Sequence, residues 1–348
     1  MLRTTHLPTF NLCLAFLFFF SSSVRADIKL RGSAIATVDP IATDAAVQAL
    51  RNGGNAFDAS VAAALTLGVV NGYNSGIGGG CFIVARKASG ELFTINGRET
   101  APEKSHRDMF IRDGLAQTSL SQTGALAIAV PGSLMAYSEL CKKHGKISFK
   151  KHLKNASSIA RNGFKVPASF ANRVKSNFKQ IQKYPDTAKI FSNGKGEPIK
   201  TNSILIQKDL ADTYDAIAKH GTDWFYNGPF SKKTEEWMKK NGGIMRAEDF
   251  EKYYITSPSP VKTRYREFTV VGMPPPSSGG THVAQILNIL ENFNFHDIDP
   301  DSPEFYHTII EAMKLAFADR AHWLGDPAYA KVPLGLLSKE YAKDLAKR

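Results

Sequence analysis

The chain has 348 residues, 43% of them hydrophobic and 22% charged, the balance of an ordinary globular protein. It has no low-complexity tract and no internal repeat, which excludes disordered, collagenous and solenoid classes. Its 44 Lys and Arg against 32 Asp and Glu give a formal net charge of +12, but the densest basic segment, Lys142–Lys154, carries Phe149 as its one aromatic. A nucleic-acid surface needs more stacking area than that, so the lysines read as the wet side of two helices.

Residues 1–26 have the layout of a secretory signal peptide. Arg3 gives a positive start, Leu12–Phe20 is an almost unbroken apolar run, and Val24-Arg25-Ala26 ends on a small residue. The run falls short of the ~20 residues of a membrane span, so no stable span is expected; the alternative is an uncleaved N-terminal anchor. This predicts a periplasmic or secreted protein. Cleavage after Ala26 removes Arg3 and Arg25 and takes the net charge to +10. Of the three cysteines, Cys81 and Cys141 then remain. They could pair in an exported protein, but they also fit buried free thiols, and no cysteine–histidine spacing suggests a metal site.

A first strand is expected at Ser33–Val38, stopped by Asp39-Pro40. Thr43 can cap a helix ending at Gly53. A second helix, Phe57–Val70, is apolar on almost every side and should be buried. Asp58 is its one acid and lies in its first turn, which fits a capping role. Next come Gly76, Gly78, Gly79 and Gly80, a cluster that implies close backbone approach. Cys81–Ala85 and Leu92–Ile95 read as antiparallel strands joined by a turn at Ala88–Glu91. Asn96-Gly97-Arg98-Glu99 closes the second strand, and Pro102 blocks any quick return to regular structure. Arg98 therefore sits at a strand end beside a loop, where sites tend to be built. Its planar fork can grip a carboxylate through two parallel hydrogen bonds. A structural ion pair with Glu99 or Asp58, or a bond to a helix-end carbonyl, would use the same group.

Gly124–Val130 reads as a small-residue strand. Helices follow at Ser133–Lys143, Phe149–Arg161, Ala168–Tyr184, Leu210–Lys219 and Lys232–Lys240, with Pro185–Thr201 polar and turn-rich. Together they suggest a helical lobe over about 133–250, inserted between sheet elements. Phe268–Val271 returns as a strand, and helices cover Gly279–Asn292, Glu304–Trp323 and Ser338–Lys347. Ser277 and Ser278 precede a helix, where they could receive an anion or simply cap it. The glycine cluster is neither a P-loop nor a dinucleotide fingerprint, because no Lys-Ser or Lys-Thr follows and it precedes a strand. There is no G-x-S-x-G elbow. His282 reads as a helix-surface residue.

The order of motifs resembles the large subunit of the γ-glutamyltransferase (γ-glutamyltranspeptidase) family. They are Asn52–Ala59, Gly76–Gly80, the Asn96–Pro102 segment NGRETAP, Val130–Ser133, Lys240–Ile244, Pro274–His282, Phe317–Arg320 and Gly325–Pro327. The resemblance implies the α/β class, as the large-subunit half of an N-terminal nucleophile hydrolase αββα sandwich with an inserted helical lobe. It implies cleavage of γ-glutamyl amides such as glutathione, with transfer to water or amino acids and no cofactor. It also implies that Arg98 holds the substrate α-carboxylate, while a threonine on a small subunit of the same precursor is the nucleophile. That threonine normally opens a Thr-Thr-His-Tyr-Ser-type segment, and none is found here apart from Thr4-Thr5-His6 in the leader. No catalytic residue is therefore assigned within the chain. The alternatives are a truncated, catalytically inert subunit or binding protein, and a cephalosporin-acylase-like amidase.

Overall fold

The computed structural model describes residues 32–348, so the expected signal peptide lies outside the described residues. No strand forms at Ser33–Val38. The first element is helix α1 (Pro40–Arg51), which starts where the sequence suggested a stop. Asp39 wins the capping role from Thr43. Its Oδ1 accepts the Ile41 N–H at 2.9 Å, and Pro40 occupies the first turn, where a missing N–H costs nothing. Helix α2 (Ala56–Val70) is buried as its composition requires. Val61, Leu65 and Val69 are fully inaccessible.

Strands β1 (Cys81–Arg86) and β2 (Leu92–Gly97) pair antiparallel, with Cys81 opposite Gly97 and Arg86 opposite Leu92. A minor hairpin, β3 (Ile111–Arg112) with β4 (Leu115–Ala116), leads to the short helix α3 (Thr118–Gln122). The strand expected at Gly124–Val130 is instead a single 3-10 turn at Ala125–Ala127. Its alanines favour a pleated surface weakly, and Gly124 enters at φ 95°, so only Val130 makes a bridge, to Thr100.

The helical stretch comprises α4 (Ser133–His144), α5 (Phe149–Asn162), α6 (Ala168–Ile181), α7 (Pro185–Phe191), α8 (Lys208–His220), α9 (Asp223–Tyr226), α10 (Pro229–Lys240) and α11 (Ala247–Glu251). A small pair, β5 (Phe164–Lys165) and β6 (Ile204–Leu205), ties it across the middle. α7 falls within the stretch expected to be polar and turn-rich; Pro185 at its first position starts it. One hydrophobic cluster contains Leu134, Leu153, Tyr214 and Phe225 together with Leu65 of α2 and Ile95 of β2. The helices thus share a core with the hairpin.

Strand β7 (Val261–Tyr265), which the alternating charges of Lys262 and Arg264 had hidden, pairs with β8 (Phe268–Gly272). Three helices finish the described chain, α12 (Ser278–Leu290), α13 (Pro303–Trp323) and α14 (Lys339–Leu345). Ile289, Leu290, Ala312, Ala342 and Leu345 form a second core between them. α13 turns Ala312 and Ala316 inward. Its outer side exposes Tyr306, Ile310, Met313 and Phe317, an i, i+4, i+7, i+11 stripe with 41–53% of each residue accessible. Among the described residues no helix is long and apolar enough to cross a membrane.

Candidate substrate site

The glycine cluster exists because three chain segments meet where side chains would not fit. A Cβ on Gly80 would strike the Glu99 carboxylate and backbone, and one on Gly97 would lie 2.6 Å from Ala136 Cβ. The Gly79 carbonyl accepts the N–H groups of Gly132 and Ser133 at 2.9 and 3.0 Å, so the loop serves the otherwise unpaired start of α4. Ser133 Oγ returns a bond to the Gly76 carbonyl at 2.8 Å. The open end of the hairpin, where Cys81 faces Gly97, is thereby fixed to α4.

On its other edge β2 is covered by an extended segment. The Asn96 N–H donates to Thr256 O at 2.8 Å, Thr256 N–H donates back at 3.2 Å, and Thr94 Oγ1 donates to Pro258 O. Arg98 follows directly. Its N–H donates to Asn96 Oδ1 at 3.0 Å, and its carbonyl accepts the Tyr253 hydroxyl at 2.8 Å. Tyr253 stacks on Tyr226 at 5.8 Å between ring centres, and Tyr226 Oη donates to Pro131 O. Burial pushes both phenols well above the usual tyrosine range, so both stay protonated as donors.

Arg98 lines a cavity of about 750 Å³, with Glu99 beside it. Its walls are the Tyr254–Pro258 segment, Pro275 and Pro276, and the Asp326–Tyr329 loop. The guanidinium lies 5.7 Å from the Phe82 ring centre. Stacking uses the face of the group and leaves its N–H edges free. None of the structural partners the sequence allowed takes them: among the described residues Arg98 forms no ion pair. An unpaired arginine fork at the edge of a cavity is suited to one planar anion, a carboxylate above all.

The family model for Gamma-glutamyltranspeptidase matches residues 42–348. The chain belongs to the γ-glutamyltranspeptidase family. It is 37% identical to the glutathione hydrolase proenzyme of Escherichia coli over 321 residues, which is 92% of this chain and 55% of that protein. It is 35% identical to the acylase ACY 1 proenzyme of a Pseudomonas strain, over 89% of this chain and 57% of that protein. The chain therefore spans about half the length of the curated relatives it matches. Among solved structures, Helicobacter pylori γ-glutamyltranspeptidase superposes with a TM-score of 0.88 at 34% identity, covering 91% of this chain and 93% of that one. The α/β fold class expected from the sequence is the one these family members share.

As in other proteins, polar residues of this family member that look reactive in sequence turn out to be structural. Burial pushes the Cys81 thiol up to about 12 and that of Cys141 to about 11. Both cysteines are free. Ser277 Oγ accepts the Gly279 N–H at 3.1 Å and caps α12. His282, expected on a helix surface, is only 3% exposed between α12 and α13; burial, then the Arg320 charge, hold its pKa below the ordinary value. Its neighbour Asp319 accepts from Gln285 Nε2 and from the Tyr341 hydroxyl.

Asp58 does more than its predicted capping. Its Oδ2 accepts the N–H groups of Asn55 and Lys146, both at 2.8 Å, and its Oδ1 accepts Ile147 N–H at 2.9 Å and faces His152 Nε2 at 3.2 Å. Asp58, Cys141 and His152 lie close enough to suggest a metal centre, which their sequence positions had not. The carboxylate is, however, already saturated, and Cys141 Sγ donates to Ile147 O at 3.0 Å. The cluster fastens the α4–α5 loop to α2.

Proposed function

We propose that this chain is the large-subunit part of an exported enzyme that cleaves γ-glutamyl amides such as glutathione and passes the γ-glutamyl group to water or to an amino acid. The signal-like segment at residues 1–26 supports export to the periplasm or medium. The observation that carries the substrate assignment is the unpaired Arg98 guanidinium facing a cavity. It would hold the α-carboxylate of the donor and leave the γ-amide at a set distance from the attacking group.

The nucleophile we assign to a threonine on a small subunit cut from the same precursor. Its hydroxyl adds to the γ-carbonyl carbon, with its own α-amine accepting the proton and delivering it to the departing nitrogen. The amide C–N bond breaks, and water or an acceptor amine then takes the acyl group from the threonine oxygen. Arg98 takes no part in bond making. It positions, and its binding energy lowers KM.

The test is Arg98→Ala in the complete two-chain enzyme, assayed with γ-glutamyl-p-nitroanilide. Loss of a desolvated charge-assisted pair costs about 2–5 kcal/mol, so KM should rise by more than about thirtyfold. Arg98→Lys should recover only part of this, because a point charge lacks the fork. An unchanged KM in Arg98→Ala would refute the assignment.

A further inference from the structure

A second cavity, of about 380 Å³, opens beside the turn that precedes the glycine loop. It is built from the Gly72–Asn74 turn after α2, one face of α6, and Phe191 at the end of α7. No residue that lines it also lines the Arg98 cavity. Its floor is apolar. Phe170 and Val174 are buried in the main core, and Phe170 meets Tyr73 edge-on at 5.4 Å and Phe191 at 6.1 Å. Tyr73 and Phe191 thus flank the hollow, with Phe170 packed between them at its floor.

The rim carries one charged group. Arg173 lies over the Tyr73 ring, 5.5 Å from its centre. Among the described residues its guanidinium forms no ion pair, while its backbone carbonyl accepts from Ser176 Oγ and Asn177 Nδ2. The cup therefore offers open N–H edges above an aromatic wall. It is also held in place beforehand, since the Tyr73 hydroxyl receives a bond from the buried Asn71 amide at 3.1 Å. A wall fixed before binding reduces the ordering cost of a ligand.

We propose that this cup binds a small aromatic carboxylate. The ring would sit against Tyr73 and Phe191, above the buried Phe170, where edge-to-face contacts favour an aromatic over an alkyl body. The carboxylate would take the free edge of Arg173. The volume lies within the usual range for small-ligand pockets, roughly 300–1,000 Å³.

The complete protein should be titrated calorimetrically with 3-phenylpropanoate, with 3-phenylpropanamide as the neutral isostere. Saturable binding is expected with a dissociation constant below about 5 mM, the range open to so small a ligand. The amide should bind at least about tenfold more weakly, as should the carboxylate to Arg173→Gln, because each lacks one charge of the pair. Arg98→Ala should bind as the parent does. No saturable heat, equal affinity for the amide, or loss of binding in Arg98→Ala would each overturn the proposal. The amide comparison and the Arg98→Ala control do not depend on Arg173→Gln, so together they decide the matter even if that variant fails to fold.

Discussion

Replacing Asp58 by alanine should cost the protein much of its stability without touching the substrate site. The structure gives the terms. One carboxylate, fully buried, accepts three backbone N–H groups and faces His152. Each donor left without a partner costs about 1–3 kcal/mol. Asn55, Lys146 and Ile147 are not fully buried, so water can reach part of the gap and the low end applies. Three such donors give about 3 kcal/mol, a large share of the 5–15 kcal/mol typical of a folded domain. Urea unfolding of the complete protein at pH 7.5 measures this directly, with kcat at saturating substrate as the control. A loss below about 1 kcal/mol would show that the α4–α5 loop is held by something else. The pH dependence follows with its sign. Burial raises the Asp58 pKa, but the donors from Asn55, Lys146, Ile147 and His152 outweigh it and leave the group below the ordinary value. Its contribution is present above the unfolded carboxylate pKa, about 3.9, and is lost as pH falls through the lower folded value. His152 is held neutral by burial, with its pKa below the ordinary value. Its contribution is present above about pH 6.5 and is lost as pH falls from there. Acid should therefore weaken the wild type from below about pH 6.5, and Asp58→Ala should remove the further fall that sets in below about pH 4.

Gly97→Ala should drive the hairpin from α4, since its methyl would lie 2.6 Å from Ala136 Cβ; a loss of about 1–3 kcal/mol is expected by thermal unfolding, together with a raised KM. Tyr253→Phe removes the bond to the Arg98 carbonyl and should cost about 0.5–1.5 kcal/mol, read as a KM increase of a few-fold with kcat little changed. Half-buried Cys81 and buried Cys141, with thiols at about 12 and 11, should resist Ellman's reagent at pH 8 in the folded protein and react readily only in denaturant; prompt labelling of both in the native protein would contradict this.

The hairpin and Arg98 were legible because their signals are local: glycine where a side chain cannot fit, alternating apolar runs, and a turn between them. α2 was legible because an all-apolar helix has few places to go. The failures share a cause. Ser33–Val38 has strand-like residues but finds no partner strand, and Gly124–Val130 has the hydrophobicity of a strand, but three of its seven residues are alanines and it begins on a glycine at positive φ. β7 was hidden because alternating Lys262 and Arg264 resemble a solvated edge, which they are. His282 and the Asp58–Cys141–His152 cluster depend on which helices pack together, and no spacing along the chain reports that.

The outer stripe of α13 bears on how such a protein must be made. Tyr306 to Phe317 spans roughly 16 Å of helix at 1.5 Å per residue, a length of greasy surface prone to self-association if left in water. A cover encoded in the same polypeptide meets it at an effective concentration in the millimolar range, whatever the dilution of the medium. Synthesis as one precursor, with any cut made only after collapse, would shelter the stripe faster than two separate chains could meet in solution. Co-expression of separate halves should accordingly yield more insoluble material than the uncut parent gene.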